Sequence, residues 1–122
     1  MDRQAAGTKA ENIAADFLSA QGLQLLLRNY RRRAGEIDLV AREREVLVIA
    51  EVRTRSSDEY GGAAASVTTR KQARIRRAAM QLLQQNKDFA RMPVRFDVLV
   101  VSDLDADTPK VEWIKHAFTS SR

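Results

Sequence analysis

The sequence predicts an α/β sandwich, a mixed sheet with helices packed on it, in the order α-β-β-β-α-β-β. Three observations carry this. Two stretches repeat apolar residues at helical spacing, one on each side of a block of strand-like runs. Two adjacent runs in that block, 36–41 and 46–54, are rich in Val, Ile and Leu and are joined by the charged turn Arg42-Glu43-Arg44-Glu45. Two more apolar runs follow the second helical stretch.

The first helix is expected over residues 9–21. Ala10, Ile13, Ala14, Phe17 and Leu18 recur at helical spacing, and Gly22 supplies the stop. Glu11 borders that stripe and can point towards whatever the helix packs on. The Leu-rich residues 23–30 read as a short strand. If Arg44-Glu45 is a two-residue turn between the next two strands, Asp38 lies directly opposite Glu51, and opposed residues share one face. The turn lacks the glycine that usually marks such a register. Residues 56–66, with Tyr60-Gly61-Gly62, are expected to form a flexible loop. A basic helix over about 69–86 follows, with Thr69 as N-cap and Gln72 completing a capping box. Ile75, Ala79, Leu82 and Leu83 make its buried stripe, while Arg70, Arg74 and Arg77 share another face. The runs 94–101 and 111–114 are the last strands.

A chain of 122 residues is expected to form one domain with a real core. It has no cysteine, which excludes disulfides, thiolate metal sites and cysteine nucleophiles. Its single histidine, His116, excludes a multi-histidine metal site. No apolar run approaches the roughly 20 residues that span a bilayer, and the N-terminus lacks a secretory pattern. A cytoplasmic protein without a membrane partner is expected. The net charge is +5, and 16 of the 21 basic residues are arginine. They cluster: Arg28 and Arg31-Arg32-Arg33 precede the Asp38 strand, Arg53 and Arg55 follow Glu51, and Arg70, Lys71, Arg74, Arg76 and Arg77 fall on one helix. A phosphate backbone favours such a cluster, and a solvated basic face is the ordinary alternative.

Two acids on strands that are apolar on both sides carry the functional reading. A buried charge there costs several kcal/mol unless a metal ion or cation accompanies it. Asp38, Glu51 and the Val52 carbonyl are hard oxygen donors of the kind Mg²⁺ takes alongside water and substrate phosphate. Arg53, two residues from Glu51, shares its face and can stabilise developing charge. The competing reading is a structural ion pair of Arg53 with Asp38 or Glu51. Asp97, on the strand 94–101, is expected to be structural, paired with Arg95 or a helix arginine. Asp103-x-Asp105-x-Asp107 resembles the start of a calcium loop, but Thr108 stands where glycine is needed and Ile114 where a glutamate is. An acidic hairpin turn is expected instead. Trp113 is expected to pack on the sheet, although it and Tyr60 could stack on bases.

Gly7-x-x-x-Glu11-x-x-Ala14-x-x-x-Leu18, Gly35-Glu36-Ile37-Asp38-Leu39-Val40-Ala41, Glu51-Val52-Arg53-Thr54-Arg55, Lys71 and Arg95-Phe96-Asp97-Val98 together resemble the bacterial YraN family of uncharacterised small proteins. That family is similar in turn to Holliday-junction resolvases and other restriction-endonuclease-like nucleases of the PD-(D/E)xK type. The resemblance implies a three-layer sandwich with a metal site where two central strands diverge. It implies a metal-dependent endonuclease, acting on DNA more readily than RNA, with branched or damaged DNA as the substrate. Asp38 matches the motif Asp, Glu51 the motif Glu, Arg53 the motif Lys, and Glu11 a helix-borne Glu that often completes such sites. Mg²⁺ or Mn²⁺ is then the implied cofactor, held by Asp38, Glu51, the Val52 carbonyl and Glu11. Arg31, Arg33, Arg55, Arg70, Lys71 and Arg74 would hold nucleic acid, and a homodimer would supply the two sites that junction resolution needs. Two departures stand out. Ile37 replaces the motif Pro, and Arg53 replaces a Lys with a group that cannot exchange a proton. Lys71 could reach in as a substitute, its ordinary reading being a solvated first-turn lysine. An inactive nucleic-acid-binding or adaptor module that keeps the nuclease fold is the alternative function.

Overall fold

A computed structural model describes residues 2–55 and 67–119. Helix α1 spans Arg3–Ala20, and strands β1, β2 and β3 span Gln24–Arg32, Gly35–Glu43 and Val46–Arg55. Helix α2 (Thr69–Gln85) and a one-turn helix α3 (Lys87–Ala90) lead to β4 (Val94–Ser102) and β5 (Lys110–Phe118). The expected element order holds, with α3 as an addition. The sheet runs β1-β2-β3-β4-β5. Only β3 and β4 are parallel, and the other three pairs are antiparallel. A parallel pair needs a long crossover, and α2 lies within it. The loop expected over 56–66, with Tyr60, falls outside the described residues.

Each helix covers one face of the sheet. Ala10, Ala14, Ala15 and Leu18 of α1 pack on Leu39, Ala41, Val48, Ala50, Leu99 and Val101. Ile75, Ala78, Ala79 and Leu82 of α2 pack on Val40, Leu47, Ile49, Phe96, Val98 and Val100. β3 and β4 are therefore apolar on both faces, as central strands between two helical layers must be. Ala78 joins the expected α2 stripe, and Leu83 packs at its margin.

Both helices begin earlier than expected. α1 starts at Arg3, not near Lys9, because Asp2 accepts the Ala5 N–H at 2.7 Å. Its first two turns are largely exposed and carry no apolar signal. α2 is capped by Thr68 rather than Thr69, with Thr68 Oγ1 accepting the Lys71 N–H at 3.2 Å. Gln72 does not close a capping box; its side-chain amide donates to the Val67 carbonyl at 2.9 Å. The last strand is longer than expected, reaching Phe118. In the β2–β3 hairpin, Glu43 pairs with Val46, so Arg44-Glu45 is the turn. Arg44 takes φ +55 there without glycine's help, and Arg42 Nε bonds its carbonyl at 2.7 Å.

Candidate active site where two central strands part

The hairpin register places Asp38 opposite Glu51, one step beyond the last regular β2–β3 pair, Leu39↔Ala50. From there the strands part. Ile37 and Glu36 pair only with β1, while Glu51 to Arg55 pair only with β4. Side-chain alternation fails at the same point: Ile37 packs in the α2-side core and Leu39 in the α1-side core. Residues two apart on a regular strand share a face, so β2 changes face at Asp38. The half-buried Asp38 carboxylate occupies the gap, and its Oδ2 accepts the Val52 N–H at 2.8 Å. A ladder bond lost by the parting strands is thereby replaced by a side-chain bond.

Glu51 is 4% exposed and faces α2. Its Oε2 lies 2.9 Å from Lys71 Nζ in the first turn of that helix. Lys71 is thus a partner of the buried acid, not the solvated lysine of the ordinary reading. The Thr68 cap and the packing of α2 set its position. Gly35 permits that packing, because a Cβ there would stand 2.0 Å from the Arg74 carbonyl oxygen. Burial, then a hydrogen bond to Glu51 and the charge of Glu51, push the Asp38 carboxyl up to about 8, against the opposing pull of the Val52 N–H and Lys71. With that shift the Asp38 carboxyl retains its proton at neutral pH.

Asp38, Arg53 and Glu11 line one cavity of about 480 Å³, between α1 and the parting strands. Glu11 reaches it as expected, but its Oε1 is held by Asn29 Nδ2 at 2.8 Å and Arg28 at 3.2 Å. Among the described residues no group of three His, Asp or Glu is close enough to share a metal ion. The acidic pair therefore stands apart from Glu11. Neither expected ion pair of Arg53 forms among the described residues, and its Nε is buried without a hydrogen-bond partner. Arg28, Arg31 and Arg3 line the same cavity. Arg3 joins them because α1 starts well before the apolar periodicity does; Asp2, a good N-cap residue, is the sequence signal for that earlier start. Arg33, Arg70 and Arg74 are exposed, whereas Arg55 lies 3.8 Å from Glu112.

Asp97 lies apart from this cavity and is fully buried. Arg95 donates to both its oxygens at 2.9 Å, Trp113 Nε1 to one at 2.9 Å, and the His116 N–H to the other at 3.0 Å. Four donors satisfy the carboxylate, and the structural reading of Asp97 holds. Trp113 packs edge-on against Phe17, as expected of a sheet-packing residue. Asp103, Asp105 and Asp107 lie in the β4–β5 connection, where Lys9 and Lys110 offset two of them.

A family model described as "Uncharacterised protein family UPF0102" matches residues 10–101. The chain belongs to the UPF0102 family. A UPF0102 protein of Nitrosomonas europaea is 48% identical over 116 residues, covering 94% of each chain. One from Alkalilimnicola ehrlichii is 46% identical over 114 residues, covering 93% of this chain and 86% of its own. One from Hahella chejuensis is 49% identical over 113 residues, covering 93% and 89%. The UPF0102 match runs from α1 into β4, so Glu11, Asp38, Glu51, Arg53 and Lys71 all fall within it.

Proposed function

We propose that this UPF0102 protein is a divalent-metal-dependent endonuclease that hydrolyses DNA phosphodiester bonds, with branched or damaged DNA as its substrate. The observation that carries the reading is the opposed pair Asp38 and Glu51, set where β2 and β3 part and flanked by Lys71 and Arg53. A structural acid is expected to be saturated with donors, as Asp97 is. Asp38 instead faces an open cavity beside a second carboxyl, an arrangement that a divalent cation would neutralise.

The donor set fits such an ion. Asp38 and Glu51 supply two hard oxygens and the Val52 carbonyl is a third candidate, which suits Mg²⁺ or Mn²⁺ completed by water and phosphate. Glu11 would act through water, since its Oε1 is already held by Arg28 and Asn29. A bound ion of this kind lowers the pKa of a coordinated water and offsets charge on the attacked phosphate. The chain's own residues do the rest. Arg53 would stabilise charge on the phosphate, fixed as a cation. Lys71, held against Glu51, supplies the exchangeable proton that an arginine cannot. Arg31, Arg33, Arg55, Arg70 and Arg74 would hold the backbone on either side.

The test is nicking of labelled junction, flap and linear DNA with Mn²⁺, comparing the wild type with Asp38→Asn. Asp38-dependent nicking supports the proposal, while equal cleavage by both removes Asp38 from the mechanism and points to a contaminant. The second reading, a non-catalytic nucleic-acid adaptor, is favoured by Arg53 in the lysine position and by the Lys71–Glu51 ion pair, which already neutralises the buried acid. Calorimetric titration with Mg²⁺ and Mn²⁺ separates the two. No binding at millimolar metal, together with salt-sensitive DNA binding, favours the adaptor.

A further inference from the structure

Tyr30 of β1 is buried in the α2-side core, and its hydroxyl donates to Gln85 Oε1 at 2.8 Å. Packing at one end and a hydrogen bond at the other fix this ring. Over it lies the Arg32 guanidinium, with Cζ 4.1 Å from the ring centroid. Arg32 Nη1 donates to the Arg31 carbonyl at 2.7 Å, which pins the group from a second direction. Arg32 is nevertheless exposed, and among the described residues it forms no ion pair. Holding a long cation still in water costs rotamer entropy. A guanidinium is also planar and weakly hydrated, so with one face on Tyr30 the outward face is free to take a second flat ring. Nucleic-acid bases are recognised in this way, by stacking on aromatic rings and on Arg planes.

We infer that Arg32, backed by Tyr30, is a stacking platform for an unpaired DNA base. The inference rests on the nuclease reading for the identity of the ligand as DNA, and it adds a residue that selects the structure of that DNA. Bases inside a duplex already have both faces covered by their neighbours. Only an unpaired base, as at a flap, a junction or a lesion, offers a face to a platform. The surroundings suit a strand that brings its own phosphates. Arg33 is exposed in the β1–β2 turn, Arg77 Nε donates to the Ala34 carbonyl at 3.4 Å, and the Arg74 backbone packs on Gly35. Glu36, the acid next to that turn, pairs only loosely with Arg31, at 3.8 Å. Arg32 pairs with Gly35, three residues before Asp38 on β2, or roughly 10 Å along the strand. Tyr30 and Glu51 both face α2, so the platform and the Lys71–Glu51 pair share one side of the sheet.

The test separates stacking from charge. Fluorescence anisotropy in EDTA compares a labelled, unstructured DNA strand with an abasic sugar-phosphate strand of equal length, which carries the same charge and no bases. A stacked base should make the wild type bind the strand with bases about tenfold more tightly. Arg32→Lys keeps the charge and loses the plane, so this ratio should fall close to one. Arg33→Lys alters a neighbouring cation with no ring behind it, and should weaken both strands alike while the ratio stays. The wild-type comparison depends on no variant, and equal binding of the two strands overturns the platform by itself. A ratio that survives Arg32→Lys also overturns it, by assigning the preference to another residue. Binding is read without metal and cleavage with Mn²⁺, so the two proposals fail separately. An Arg32-dependent preference without Asp38-dependent nicking sinks only the nuclease. Asp38-dependent nicking without that preference sinks only the platform.

Discussion

Asp38 and Glu51 sit so close that ionising both is unfavourable, and this has a measurable consequence for stability. The Asp38 carboxyl is raised from 3.8 to about 8 by burial first and by Glu51 second. Between those values the folded chain retains a proton that the unfolded chain releases, so stability falls as pH rises from about 4 to about 8. In Asp38→Asn the amide can donate to Glu51 as the protonated acid does. Thermal melts across that window should therefore show a flatter pH dependence in the variant, and its greatest advantage above about pH 8. A slope unchanged by the substitution would assign the titration elsewhere. A divalent ion competes with the same proton, so Mn²⁺ affinity should climb through this window. Lys71 makes a second prediction. Lys71→Met strands a buried carboxylate and should lower nicking about 100-fold, with partial recovery in Lys71→Arg if charge alone matters. The acids themselves were legible in the sequence, because charge inside an apolar strand is conspicuous. Lys71 was not, because a lysine in a first helical turn looks the same whether it meets water or a buried glutamate.

Helix α2 carries Lys71, so its placement is the element on which the site depends. Two contacts fix it. Thr68 caps its N-terminus, and removing that cap in Thr68→Ala should cost about 1 kcal/mol in urea unfolding. Gly35 lets its backbone approach β2, and Gly35→Ala should cost about 3 kcal/mol, since the clash is with a carbonyl and not a movable side chain. That variant should also lose activity beyond its loss of stability, because shifting α2 moves Lys71 away from Glu51. The tandem Thr68-Thr69 shows why the cap was misplaced by one residue. Either hydroxyl can cap, and only the actual course of the chain before the helix selects between them. The β2–β3 hairpin went the other way: its two-residue turn was recovered from charge and strand length, and the Asp38–Glu51 register followed.

Across the whole molecule, electrostatics divides into two tasks. The Arg95–Asp97 pair, buried and joined to Glu43 at 2.7 Å, ties β4 to the β2–β3 hairpin. Asp97→Ala should cost about 3 kcal/mol, because Arg95 keeps only Glu43 while the Trp113 Nε1 and His116 N–H donors lose their acceptor, without altering metal binding at Asp38. The remaining basic excess is spread over exposed α2 residues, the β1–β2 turn and the cavity mouth. Among the described residues no helix is long and apolar enough to cross a membrane.

Periodicity and charge placement by themselves determined the element order, the two-sided burial of the central strands and the two acids that face each other. These are local properties, set by spacing along the chain and by the cost of placing charge in apolar surroundings. Only the tertiary structure decided where β2 changes face, that Lys71 meets Glu51, and that Glu11 is held by Arg28 and Asn29 apart from the acidic pair. Each depends on how a helix seats on a sheet, over distances in sequence that no periodic pattern records.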